Sequence, residues 1–128
     1  MKPFIIGDKR YAFDVTNADD LRRLERAFAL LCERNEQMTA AGGEEMTASE
    51  QMLAIFRLYH DFFDTVFPSR AAEIVGGEPS VSHAGHAFDR FAAYLRSCVE
   101  EEERCEQMMR RMYLGEADAA PASVQDAK

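Results

Sequence analysis

Thr47-Ala48-Ser49-Glu50-Gln51-Met52-Leu53-Ala54-Ile55-Phe56-Arg57-Leu58-Tyr59-His60-Asp61-Phe62-Phe63-Asp64-Thr65-Val66-Phe67-Pro68 is the stretch on which the arrangement of the whole chain turns. It opens on a capping box, with Thr47 placed to accept a backbone hydrogen bond and Glu50 placed to reach back. Pro68 ends it, because a proline cannot continue a helix. Between these limits Met52, Leu53, Ile55, Phe56, Leu58, Tyr59, Phe62, Phe63, Val66 and Phe67 carry apolar groups around much more than half of the circumference. Such a helix needs neighbours on two sides. The expected fold is therefore mainly α, a small bundle of three to four helices built around this central one.

Upstream, Thr16-Asn17-Ala18-Asp19-Asp20 offers two N-caps and first-turn acids suited to the positive end of a helix dipole. Leu21, Leu24, Phe28, Leu31 and Met38 then recur at helical steps, predicting an amphipathic helix to about Thr39. Ala40-Ala41-Gly42-Gly43 is expected to end it as C-cap and loop. Before it, Phe4-Ile5-Ile6 and Arg10-Tyr11-Ala12-Phe13-Asp14-Val15 flank Gly7-Asp8-Lys9, and Tyr11, Phe13 and Val15 alternate with polar or small residues. This predicts an N-terminal β-hairpin with one apolar face. A lone hairpin is marginal in water, so that face must pack on the helices.

Downstream, a short helix over Ser69 to Val75 is followed by the break Gly76-Gly77-Glu78-Pro79-Ser80. From Ser82 to Tyr113 the spacing Ala84, Phe88, Phe91, Leu95, Cys98, Glu102, Cys105, Met109, Met112 alternates four and three, predicting a long C-terminal helix with a heptad seam that contains one acid. Leu114-Gly115 is expected to end it, and the Ala-rich remainder, with Pro121, reads as a disordered tail. The organisation expected is one helical core domain with its hairpin over residues 1–99, a projecting end of the last helix over 100–114, and the tail over 115–128.

With 128 residues, 47% of them apolar, the chain is long enough for one core and too short for two ordinary ones. Fifteen Lys and Arg against twenty-three Asp and Glu give a net charge of −8, which argues against binding nucleic acid through its phosphates. No apolar run approaches the ~20 residues of a membrane span, and the start has neither the apolar core nor the basic region of a signal peptide. Cys32, Cys98 and Cys105 are an odd number in a chain with a sufficient core, which points to a reducing cytoplasm. Cys98 and Cys105 would lie ~10 Å apart on one face of the last helix, too far for a bond, and read as small core residues.

No constellation of catalytic groups is evident. His83 and His86 beside Asp89 could offer two nitrogens and a carboxylate, but no second ligand pair accompanies them, so neither a metal site nor a cofactor is expected. His60 and Asp64, one turn apart, could couple as base and orienter, but no nucleophile goes with them, and a surface pair is the simpler reading. Gly42-Gly43 and Gly76-Gly77 lack the context of phosphate loops. The most unusual charge feature is Glu100-Glu101-Glu102-Glu103 before Arg104, which reads either as a solvated helix relieved by pairs such as Glu100 with Arg104 or as a site for a cationic partner. Glu102 falls in the seam, where a buried acid would cost several kcal/mol unless paired. Beyond it Cys105, Met108, Met109 and Met112 continue the apolar stripe, and methionine-rich helix faces adapt to varied partners. They pack on the chain's own hairpin or first helix, or they dock a partner. The expected partner-binding surface is Leu95, Cys98, Glu100, Glu101, Glu102, Glu103, Cys105, Met108, Met109 and Met112, and self-association through the last helix is open.

The start Phe4-Ile5-Ile6-Gly7-Asp8-Lys9-Arg10-Tyr11-Ala12-Phe13-Asp14-Val15, the run Phe62-Phe63-Asp64-Thr65-Val66-Phe67, then Ile74-Val75-Gly76-Gly77, and Ala87-Phe88 with Phe91 together resemble the small tail-assembly chaperones of tailed phages and prophages. The resemblance covers about residues 3 to 99. It departs from the family pattern at Pro68, where such relatives often have glycine, and in the Glu-rich extension from Glu100. It implies a non-enzymatic protein of the bacterial host cytoplasm that holds the tape-measure protein during tail assembly. The alternative is an acidic phage-encoded inhibitor of a host nuclease or other defence protein, comparable to an anti-CRISPR, whose acids would occupy a basic groove.

Overall fold

Gly7 adopts a positive φ of 61°, and that conformation at the first central position of a two-residue turn is the type II′ hairpin geometry. It joins β1 (Phe4–Ile6) to β2 (Lys9–Tyr11), antiparallel, with Phe4 opposite Tyr11, Ile5 opposite Arg10 and Ile6 opposite Lys9. The second strand is shorter than its alternating sequence suggests. Lys9 pairs within the ladder, and the chain leaves the strand after Tyr11. Phe13 is still buried. The departure is set by Asp14, whose Oδ1 accepts from the Thr16 amide at 2.9 Å while its own amide donates to Asp20 Oδ2 at 2.9 Å.

Four helices follow in this computed structural model, which describes residues 2–40 and 46–113. They are α1 (Ala18–Ala40), α2 (Ala48–Val66), α3 (Ala71–Val75) and α4 (Val81–Tyr113). The fold is mainly α, an N-terminal hairpin with four helices of which the last is long. The expected end at Leu114-Gly115, the tail over 115–128 and the Gly42-Gly43 loop lie outside the described residues. Among the described residues no helix is long and apolar enough to cross a membrane. The chain divides into two compact units, Met1–Tyr94 and Leu95–Lys128.

In the first unit, Asn17 Oδ1 accepts from the Asp20 amide at 2.9 Å and caps α1. The capping box of α2 is complete: the Glu50 amide donates to Thr47 Oγ1 and the Thr47 amide donates to Glu50 Oε1. α1 and α2 pack antiparallel. Arg23 donates to the Val66 carbonyl, and Arg34 pairs with Asp61. The fully buried residue of α1 is Ala27, while Phe28 is exposed at its edge. A small side chain there lets the two helices approach closely. α2 ends in a turn through Pro68 and Ser69, where the Arg70 amide donates to the Phe67 carbonyl at 3.0 Å. Ser69 takes a positive φ of 70°, the conformation that favours glycine at this turn position.

The core is aromatic and lies at the C-terminal end of α2. Phe62, Phe63, Val66 and Phe67 are buried there, whereas Met52 and Leu53 near the start of α2 are exposed. Phe4 of the hairpin lies 6.5 Å from Phe63, 6.1 Å from Phe67 and 5.1 Å from Phe91, ring centre to ring centre. The hairpin's apolar face therefore meets the helices, as the marginal stability of an isolated hairpin requires. Within the first unit, α4 buries Ala84, Ala87, Phe91 and Tyr94, and Phe88 is only half-buried. The seam is thus rotated from the expected Ala84, Phe88, Phe91 and Leu95. Tyr94 explains the rotation: its hydroxyl, 2.5 Å from the Lys2 carbonyl and 3.1 Å from the Phe13 carbonyl, donates to backbone of the hairpin segment.

A second tie joins hairpin to helix. The Tyr11 hydroxyl donates to Glu73 Oε1 of α3 at 3.0 Å, and Arg70 pairs with the same carboxylate at 3.2 Å. Burial, then the hydrogen bond to Glu73 and that group's charge, push the Tyr11 hydroxyl up to about 12 from an ordinary 10.0. The Tyr11 hydrogen bond, assisted by Arg70, holds Glu73 below its ordinary value. The protonated tyrosine is the form the fold favours. Its contribution is complete below the unfolded value near 10 and is lost as pH rises toward 12, while that of Glu73 is present above 4.5 and lost as pH falls. Tyr11→Phe is expected to remove the part of the alkaline stability loss that falls between pH 10 and 12, read from urea midpoints at each pH. An unchanged slope in that interval would contradict the assignment.

Candidate interaction surface

In the second unit α4 continues to Tyr113 with Glu, Arg, Gln and Met at most positions. These are strong helix formers. Arg110 pairs with Glu106 one turn before it at 3.5 Å, and Arg110 and Arg111 in the last turn suit the negative end of the dipole. Glu100 and Arg104, the pair expected to relieve the acidic run, do not pair with each other. Glu100, Glu101, Glu102 and Glu103 are all exposed and make no ion pair among the described residues.

Burial along this segment changes abruptly. Leu95 is half-buried and Cys98 is buried, but every residue from Val99 to Met112 is exposed. Cys105 is therefore not the core residue its spacing suggests, and Glu102 meets no apolar surroundings that would demand a counter-ion. At ~100° per residue, Cys105, Met108, Met109 and Met112 fall on one side of the helix, with Glu101 on the same side one turn earlier and Glu102 at its edge. Met108, Met109 and Met112 are 59%, 54% and 68% exposed, and Val99, which the seam pattern passes over, is 48% exposed. Of the ten residues expected to bind a partner, Cys98 is withdrawn from the surface and Leu95 is partly so; the other eight are exposed, with Glu100 and Glu103 on the side of the helix away from the methionines. Three methionines thus present thioether side chains to solvent on one side of α4.

The other candidates do not assemble. His60 Nδ1 lies 3.5 Å from Asp61 Oδ1, so its neighbour is Asp61 and not Asp64. Asp64 instead accepts from the Ser69 amide at 3.3 Å and secures the turn after α2. His83 and His86 are both exposed, with the ring of His83 against Gly76. Among the described residues no three His, Cys, Asp or Glu side chains come together as metal ligands would, and none of the buried side chains is charged.

A family model described as "Family of unknown function (DUF6673)" matches residues 7–120. The match takes in the exposed acidic and methionine-bearing part of α4 along with the core. No curated protein matches the chain, and no solved structure matches it.

Proposed function

We propose, for a chain that belongs to the DUF6673 family of unknown function, that it is a non-enzymatic holding protein for a long helical partner, acting in phage tail assembly on the tape-measure protein. The observation that carries this reading is the face of Cys105, Met108, Met109 and Met112, exposed on a helix that is already formed. A partner helix with its own apolar stripe can lie along such a face by helix-to-helix contact. The unbranched thioether side chains adapt to different partner residues, so one site can serve many segments of a long chain. Contacts of this kind are individually weak, and a holding protein must be displaced when assembly proceeds. On this reading the protein works in the cytoplasm of a bacterial host, with no cofactor and no metal.

Co-expression with the tape-measure product, followed by pull-down, tests the proposal. Replacing Cys105, Met109 and Met112 together by Ser is expected to abolish capture. Thermal stability should hold within about 0.5 kcal/mol, as for other exposed positions. Undiminished capture by the triple variant would remove this face from the reading. The acidic run, exposed and without ion pairs among the described residues, favours one other reading, inhibition of a basic nuclease or defence protein. That reading requires binding that weakens steeply with salt and is lost when Glu100 to Glu103 are changed to Gln, with the methionines immaterial.

A further inference from the structure

The first unit of this acidic chain carries a cleft of about 490 Å³ whose lining is basic: Lys9 and Arg10 from β2, Arg23 from α1 and Arg70 from the turn before α3. Glu73 is the one carboxylate among its lining residues, and Val66, Phe67 and Pro68 form an apolar part of the wall. Two of the cations are already engaged, Arg23 with Asp20 and Arg70 with Glu73. Lys9 and Arg10 are exposed and make no ion pair among the described residues. A chain of net charge −8 has thus gathered four of its fifteen Lys and Arg around one depression.

The chain also supplies a segment of the opposite kind. Glu100 and Glu103, exposed and without ion pairs among the described residues, lie one turn apart and about 60° from each other around α4. They face away from Cys105 and Met112, so contact through them leaves the methionine face open. We infer that the basic cleft is the docking site for the Glu100–Glu103 segment of a second copy of this chain. Each copy offers one cleft and one acidic segment, so the contact is either exchanged reciprocally in a two-fold dimer or repeated head-to-tail in a chain or ring. The net charge of each copy opposes approach at long range, and the attraction acts within the screening length of about 10 Å at 0.1 M salt. The contact is weak and sensitive to salt.

Sedimentation velocity over a concentration series tests this, at low salt and at ~1 M salt, where the screening length is only ~3 Å. The wild-type average mass is expected to rise with concentration at low salt and to fall to that of the monomer at high salt. Lys9→Gln with Arg10→Gln, and separately Glu100→Gln with Glu103→Gln, should each weaken association at least tenfold while circular dichroism stays unchanged, since all four side chains are exposed. The decisive sample is an equimolar mixture of these two variants, because one keeps only its acids and the other only its cleft. It should give a discrete one-to-one complex. A wild type that stays monomeric at every concentration, or a mixture that does not associate, overturns the proposal. Association that survives both charge variants and disappears with Met108→Ser and Met112→Ser overturns it too, by assigning the contact to the methionine face.

Discussion

Phe91→Ala is expected to cost about 3 to 5 kcal/mol of folding stability, the range for deleting a buried ring. Phe91 is 1% exposed, and six rings surround it: Phe4, Phe13, Phe62, Phe63, Phe67 and Tyr94, with centroids between 5.1 and 6.0 Å away. Five of the six approach it tilted or edge-on, the favourable geometry for paired quadrupoles. These rings come from the hairpin segment, from α2 and from α4, so no single movement of one element can fill the space left behind. The cost therefore belongs toward the upper end of the range. Against a typical total of about 5 to 15 kcal/mol, such a loss removes about a fifth of the stability or more. Urea denaturation followed by circular dichroism measures it, with Met112→Ala as the comparison that should stay within about 0.5 kcal/mol. A loss below about 1 kcal/mol for Phe91→Ala would mean that the aromatic cluster is not the core.

Gly76→Ala should cost about 1 to 3 kcal/mol through the backbone alone, the usual penalty for forcing an L residue into a sparsely allowed region. Gly76 closes α3 with φ 94° and ψ 158°, a combination essentially confined to glycine. Its amide donates to the Ala72 carbonyl at 3.0 Å, so the conformation is tied to the end of the helix. A methyl group added there would stand 2.9 Å from His83 Cδ2. His83 is exposed and can swing aside, so the clash is relievable and the torsional strain is not. Gly77 is the internal control: its φ is not positive, and a methyl group added there would meet nothing within 4 Å. Gly77→Ala is expected to change the urea midpoint little, and equal losses at the two positions would refute the backbone argument.

Much of the architecture is legible from local chemistry. Thr47 and Glu50 pair as a capping box only at a helix start, Pro68 cannot lie inside a helix, and Gly7 marks a hairpin turn by its freedom at positive φ. The boundaries of α2 and the hairpin turn follow from such features. Helix faces follow less surely. On α4 the choice between Phe88 with Leu95 and Ala87 with Tyr94 as buried partners of Phe91 cannot be made from hydrophobicity. Both sets keep steps of three and four. On α1 the buried position is Ala27, which carries almost no apolar signal beside Leu24, Phe28 and Leu31.

The candidate surfaces divide in the same way. Cys105, Met108, Met109 and Met112 could be assigned to one face from spacing, because neighbours on a helix are neighbours in sequence. Whether that face was core or surface could not, because burial depends on what else in the chain reaches it. The basic cleft left no trace at all. The Lys9-Arg10 pair, Arg23 and Arg70 come from three separate parts of the chain, and their side chains are brought together only when the hairpin, α1 and the turn after α2 meet.

Local chemistry is therefore enough for the order of the elements and for both ends of α2, through its capping box and Pro68, but not for the end of β2, which stops at Tyr11 although the alternation runs on to Val15. The tertiary structure alone decided which face of α4 is buried, where the core stops, and that an acidic chain holds a basic cleft. The reason is physical. Local hydrogen bonds and φ preferences act within four or five residues, while burial and charge clustering are sums over groups that only folding makes adjacent.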